Sequence, residues 1–306
     1  MRLLRKKTGG RKAFAAFKTA AALCVGLAIL VYAGACVYLW AMQARLIFKP
    51  QAEIKQTPAE FGLRYDDVYI PVPAAGGEEN LHAWWIPNDA GNGLTVLYLH
   101  GAAFNIGANS DHARRFHGLG FSVFLISYRG FGRSEGDFPS EASVYEDADA
   151  AWRHLTSARG IDPPRILLYG HSLGAAVAID LAARRSEARG LIVEAAFTSI
   201  REMSGLQSRY RFFPINWILN QEFDSASKVA RIRMPVLYLH GTADRLVPYR
   251  MSQTLYDRTA APKRLLFIEG GGHNTSGRVG GALYLDAISA FVNHPPEFGP
   301  QMPASG

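Results

Sequence analysis

Gly170-His171-Ser172-Leu173-Gly174 sets one serine between two glycines, directly after the apolar run Ile166-Leu167-Leu168-Tyr169 and before the helix-forming residues 175–179. Such a strand–turn–helix reversal holds the serine hydroxyl at the tip of a strained turn, a nucleophile elbow. Glycines two residues to either side let strand and helix cross without a side-chain clash. The helix then turns its positive end towards charge that develops at Ser172. Alone, the pentapeptide also fits a glycine-bounded turn with an incidental serine. A free serine is a weak nucleophile and needs a base, and the base needs a group that fixes its tautomer. Two later segments supply both. The run 235–239 leads into His240-Gly241-Thr242-Ala243-Asp244, and the run ending at Ile268 leads into Glu269-Gly270-Gly271-Gly272-His273. His273 is the candidate base and Asp244 the candidate acid, and the three glycines are expected to give the loop freedom to carry the ring over Ser172. Glu194, at the end of the preceding strand, is the alternative acid, with a salt bridge or cap contact as its other use. An oxyanion needs preorganised N–H donors. Leu173, the residue after the serine, offers one. The loop His100-Gly101-Ala102-Ala103-Phe104-Asn105 offers the second, at Ala102 first and Ala103 next.

These residues need a scaffold that brings strand ends together. Short apolar runs at 81–86, 95–99, 121–127, 165–169, 190–193, 235–239 and 264–268 alternate with helix candidates at 110–118, 140–159, 173–185, 249–260 and 280–292. Continuous apolar strands alternating with helices imply a mostly parallel sheet covered on both faces, whose ligands bind beyond the carboxyl ends of the strands. Residues 68–73 and 81–86 are expected to form an antiparallel edge hairpin, looping through Ala74-Ala75-Gly76-Gly77. Residues 197–231 are too long for an ordinary connection and are expected to form a small helical cap. Its Phe212, Phe213 and Trp217, with Arg209, Tyr210 and Arg211, suit an apolar chain bearing an anionic head group, or else ordinary cap packing. His171 is expected to be structural, its side chain turned from Ser172. His82, His112, His117 and His154 lack metal-ligand spacing and are expected to be partly solvated.

The set YLHGAAFNIG, YRGFGRSEG (128–136), GHSLG, VEAAFTS (193–199), YLHGTADRLVP and GGGHN resembles the α/β-hydrolase superfamily, and with RLIFKP (45–50) is similar to its membrane-anchored Bem46-like branch. The order Ser172, Asp244, His273 is the superfamily's triad order. The resemblance spans about residues 45–292. It implies an α/β-hydrolase fold, a mostly parallel sheet with helices on both faces and a small cap, and a serine hydrolase of esters or thioesters; some relatives are depalmitoylating thioesterases, lipases or aminopeptidases. Where relatives commonly carry HGNAGN this chain has HGAAFN, so Ala102 keeps the backbone donor but loses a side chain, and Phe104 adds bulk near the mouth of the site.

The amino terminus reads differently. Residues 1–18 hold Arg2, Arg5, Lys6, Lys7, Arg11, Lys12 and Lys18 and no acid; the 26 other Lys and Arg equal the 26 Asp and Glu, so the net charge of +7 resides in this tail. The neutral remainder argues against nucleic acid as a partner. Residues 19–42 carry no charge, and as a helix would reach about 36 Å, enough for a hydrocarbon core of about 30 Å. Tyr38 and Trp40 fit the interface at the far end. The excess of basic residues before the span places the amino terminus in the cytoplasm and the catalytic unit across the membrane, in a bacterial periplasm. The expected organisation is a basic cytoplasmic tail (1–18), a transmembrane anchor (19–44), a hydrolase unit (45–294) and a carboxyl tail (295–306). Competing readings are a cleaved signal peptide, normally with a shorter apolar core, and lipidation at Cys36 after Ala33-Gly34-Ala35. Both cysteines, Cys24 and Cys36, fall in the span, so the catalytic unit has no disulfide and no thiol nucleophile. No metal, nucleotide or redox cofactor is expected. The partners expected are the membrane and a small acyl ester or thioester, lipid-derived in one reading. A serine peptidase or amidase, and a non-enzymatic receptor or scaffold on the same fold, stand as alternatives.

Overall fold

The computed structural model describes residues 6–74 and 76–296. Ala75 of the expected hairpin loop, residues 1–5 and all of the carboxyl tail after Pro296 lie outside the described residues. Eight strands form one sheet in the order β10-β9-β8-β7-β4-β6-β3-β2. They are β2 (Asp66–Ala74), β3 (Gly77–Ile86), β4 (Thr95–Leu99), β6 (Ser122–Ile126), β7 (Ile166–His171), β8 (Gly190–Glu194), β9 (Val236–Gly241) and β10 (Lys263–Ile268). The pairs from β10 to β6 are parallel, whereas β3 runs antiparallel to both β6 and β2. The edge hairpin follows from its alternating burial on β2, where Ile70 and Val72 are buried and Tyr69 and Pro71 face out. This is the α/β-hydrolase fold.

Successive residues of each central strand serve opposite faces. Leu97, Leu99 and Leu168 pack into one core with Val144, Val177 and Leu255. Val96, Tyr98, Leu167 and Tyr169 pack into the other with Phe116 and Ile288. The first core lies under α3 (Glu141–Arg153), α4 (Leu173–Arg184) and α8 (Tyr249–Arg258), and the second under α2 (Ser110–Gly118) and α9 (Ser276–Asn293). Burial on both faces explains why these strands read as unbroken apolar runs. The last helix starts earlier than its periodicity suggested and breaks at Gly281, whose φ of 49° no ordinary helix residue adopts. The expected helix over 140–159 is α-helical only to Arg153 and widens to a π turn over His154–Ala158, with the His154 ring stacked on Phe124.

Residues 197–231 contain the short helices α5 (Ile200–Gly205), α6 (Ile215–Ile218) and α7 (Ser225–Lys228). The amino-terminal helix α1 (Lys6–Ile47) is longer than the uncharged run alone, extending into the basic residues before it. It contains a segment long and apolar enough to cross a membrane. α1 leads without a linker into Phe48, buried in the core, and β1 (Lys49–Pro50), which pairs in parallel with β5 (Ala103–Phe104).

Candidate active site

The polar candidates collect at the carboxyl ends of β7, β9 and β10, where the strands hand over to loops. β7 stops at His171 and α4 starts at Leu173, so Ser172 makes the whole reversal, at φ 56° and ψ −119°. A non-glycine residue in that region costs about 1–3 kcal/mol and persists only where its surroundings hold it. Here the Ser172 N–H donates to Glu194 O at 2.9 Å. A Cβ at Gly170 would stand 2.1 Å from the Gly174 carbonyl oxygen, and one at Gly174 would stand 2.0 Å from that of Leu99. Both glycines are therefore fixed by close backbone approach.

The loops after β9 and β10 are laced together. Thr242 N donates to Ile268 O and Ala243 N to Gly271 O, both at 2.9 Å, and a Cβ on Gly241 would lie 2.1 Å from Gly271 O. The glycine run before His273 serves two ends: Gly271 packs closely on Gly241, while Gly270 takes a left-handed φ of 69° with open space around it. The run delivers His273 with Nε2 2.9 Å from Ser172 Oγ and Nδ1 2.7 Å from Asp244 Oδ2. The Asp244 side chain is fully shielded from solvent. Its Oδ1 accepts the N–H groups of Leu246 and Val247 at 2.8 and 2.9 Å, and its Oδ2 also lies 3.2 Å from His240 Nε2. Burial pushes its carboxyl up, but the hydrogen bonds from His240 and His273 outweigh burial and hold it well below the usual carboxylate range. A carboxylate so held stays ionised and accepts the Nδ1–H of His273, leaving Nε2 free to take the proton of Ser172.

The loop after β4 lies against the elbow: a Cβ at Gly101 would sit 3.6 Å from Ser172 Cβ. Among the described residues, neither the Ala102 N–H nor the Leu173 N–H donates to a protein acceptor, while the Ala102 carbonyl accepts from Lys49 N at 2.8 Å. That bond comes from the segment just past α1. Ala103 and Phe104 continue the loop as β5, and Phe104 is half exposed at φ 68°, a left-handed conformation that favours glycine. The glycine of the HGNAGN pattern would fit this position without strain.

Three neighbours, His171 expected to be structural, Glu194 the alternative acid and His240 assigned no role, find their partners here. His171 Nε2 donates to the backbone carbonyl of His273 at 2.8 Å and so ties down the loop that carries His273. Burial pushes its imidazole down to about 4, with Glu194 opposing, so it is neutral near pH 7. His240, next to the β9 strand end, bridges Asp244 to Ser252 and to Val247 O. Among the described residues, Glu194 makes neither a salt bridge nor a side-chain hydrogen bond to the cap. It is buried, and its Oε2 accepts the hydroxyls of Tyr169 and Tyr284 at 2.7 and 2.6 Å. Only a count of buried hydroxyls in need of an acceptor would have found that role. His82, expected to be partly solvated, is fully buried and bonds Asp67 at 2.6 Å, because the β2–β3 hairpin covers it.

The cap aromatics lie along α1 and at the surface. Phe213 stacks on Tyr32 of α1 with centroids 5.8 Å apart, the Phe212 carbonyl accepts from Tyr32 Oη, and Phe212 and Trp217 are exposed. The reason is adjacency: with α1 alongside, rings on the cap find an apolar partner there. Among the described residues, no group of three or more His, Cys, Asp or Glu side chains is arranged to hold a metal ion.

A family model described as serine aminopeptidase, S33 matches residues 92–228 and 223–277. The chain is 34% identical over 269 residues to the uncharacterized protein Rv2307c of Mycobacterium tuberculosis, covering 88% of this chain and 93% of that protein. It is 32% identical over 293 residues to the α/β hydrolase domain-containing protein WAV2 of Arabidopsis thaliana, covering 89% and 94%. Among solved structures, the Pyrococcus furiosus esterase Pf2001 matches in fold with a TM-score of 0.67 at 19% identity, over 81% of this chain and 97% of that one. The chain belongs to the α/β-hydrolase superfamily, in the family that the serine aminopeptidase, S33 model describes.

Proposed function

We propose that the protein is a membrane-anchored serine hydrolase of carboxylic esters or thioesters, with Ser172 as nucleophile, His273 as general base, Asp244 as its orienting acid, and the N–H groups of Ala102 and Leu173 as the oxyanion hole. One observation carries the reading: Ser172 Oγ, the His273 ring and Asp244 are linked by hydrogen bonds of 2.9 and 2.7 Å at a strained elbow. Ser172 Oγ attacks the acyl carbonyl while His273 Nε2 takes its proton. The tetrahedral oxyanion collapses, the proton passes to the leaving alcohol or thiol, and the acyl group stays on Ser172. Water then repeats the sequence and releases the carboxylic acid. Orientation follows the charge asymmetry around the span, with the amino terminus cytoplasmic and the hydrolase unit on the other side, in the periplasm.

The family description favours peptide hydrolysis as a second reading. Against it, Asp244 is already committed to imidazoles and amides, and Glu194 is fully buried against two tyrosine hydroxyls, so neither carboxylate is presented at the surface to a substrate ammonium. Fluorophosphonate labelling of the full-length chain tests the enzyme, with Ser172→Ala as control. Wild-type protein that stays unlabelled refutes the nucleophile and favours the scaffold. A panel of p-nitrophenyl esters, acyl thioesters and aminoacyl amides then separates the two hydrolase readings; preference for the amides overturns ours. A periplasm-active reporter fused after Gly306 gives signal if the orientation is right.

A further inference from the structure

We propose that the cap segment 206–217 is a second membrane element, embedded in the leaflet on the side of the hydrolase unit, so that the Ser172 site is held close to the bilayer surface. The inference rests on the reading of α1 as a membrane span. Its first support is depth. With Tyr38 and Trp40 at the interface, Tyr32 lies six and eight residues further in, about 9–12 Å deeper at 1.5 Å per residue. Phe213 stacks on Tyr32, and a crevice of about 580 Å³ between Phe213 and α1 is lined by Leu27, Ala28, Val31 and Ala35, all within the uncharged run. A cap residue that meets these side chains stands at hydrocarbon depth.

The second support is polar satisfaction. A tyrosine hydroxyl and a loop carbonyl are both costly in lipid unless they find partners. Tyr32 Oη donates to Phe212 O at 2.8 Å, which satisfies the two together. Nearer the interface, Gln43 Nε2 donates to Ile218 O at 3.0 Å, and its Oε1 accepts from Asn220 N and Gln221 N at 2.7 and 3.0 Å. The polar edges of helix and cap are thus matched to each other, and their apolar edges are left outward. The third support is composition. Phe212 is 70% and Trp217 90% exposed, and residues 203–221 contain Arg209 and Arg211 but no acid. Exposed aromatics flanked by arginines suit an acyl-chain surface below anionic head groups. Because Lys49 bonds the Ala102 carbonyl just past the end of α1, the candidate oxyanion loop lies at this same surface.

The experiment uses the full chain reconstituted in phosphatidylcholine–phosphatidylglycerol vesicles. Single cysteines are made at Phe212→Cys, Trp217→Cys and, as an aqueous reference, the exposed Glu187→Cys, in a Cys24→Ala, Cys36→Ala background; a Cys36→Ala chain keeps native Cys24 as the reference within the span. Each is tested for reaction with a membrane-impermeant maleimide. Each is then labelled in detergent with a small environment-sensitive fluorophore and tested for quenching by lipids spin-labelled along the acyl chain. The expected result is loss of maleimide reaction and strong quenching at 212, 217 and 24, with free reaction and no quenching at 187. Maleimide reaction at 212 and 217 with Cys24 protected overturns the inserted cap while leaving the anchor standing. Protection at 212 and 217 without quenching, with Cys24 quenched, overturns it in favour of a covering protein surface. Free reaction at Cys24 overturns the anchor and the proposal with it.

Discussion

Replacing Asp244 with Asn keeps the side chain's shape and changes which atoms carry hydrogen. Oδ1 accepts two backbone N–H groups, from Leu246 and Val247, so the amide must keep its oxygen there or face two donors with a donor. The NH2 group then takes the place of Oδ2, 2.7 Å from His273 Nδ1 and 3.2 Å from His240 Nε2. It donates to Nδ1, which forces the His273 proton onto Nε2, and an Nε2–H cannot accept the proton of Ser172. The lone pair that activates the nucleophile is lost while the geometry survives. Where a triad Asp is converted in this way, kcat falls about 10⁴-fold, which corresponds to about 5.4 kcal/mol of transition-state stabilisation. We expect a loss of that order in Asp244→Asn, measured as kcat for a p-nitrophenyl ester on the full-length chain, with the rate of fluorophosphonate labelling falling in parallel. A thermal melt on the same preparation checks that the fold is kept. A folded Asp244→Asn variant with kcat within about tenfold of wild type would refute the tautomer argument and the assignment of Asp244.

Glu194→Gln should behave in the opposite way: esterase activity stays within about tenfold of wild type, and Tm falls by the equivalent of about 1–3 kcal/mol as two buried tyrosine hydroxyls lose a charged acceptor. Loss of turnover without loss of stability would return Glu194 to the acid role. Gly174→Ala should cost more than the about 1–3 kcal/mol of ordinary overpacking, because the new Cβ meets the backbone of Leu99 and not a side chain that can yield; a Tm equal to wild type would contradict this. The Asp244 carboxyl is held below its unfolded value, so the stability it gives is fully present above about pH 4 and is lost as pH falls below that. Tm measured down through this range should therefore fall less steeply in Asp244→Asn than in wild type. His171→Phe removes one hydrogen bond to the His273 carbonyl and should lower kcat by about tenfold or less, with KM little changed.

The amino-acid order alone determined the alternation of strands and helices, the place of Ser172 at a strand-to-helix reversal, and the strand-end positions of Asp244 and His273. Those features depend on neighbours a few residues apart: apolar runs buried on both faces of a sheet, and glycines where backbones must touch. It also exposed the uncharged run of α1, since a span is a property of contiguous composition. Other features were decided only where distant segments meet. Glu194 serves Tyr169 and Tyr284 because β7 and α9 converge on it from 25 and 90 residues away. The cap aromatics turned to Tyr32, 180 residues back along the chain, because a ring takes whichever apolar surface the fold lays beside it. His171 found the His273 carbonyl in the same way, across 102 residues. Local pattern fixes what a residue can do, while its partner is chosen by which surfaces the packed sheet and helices bring within reach.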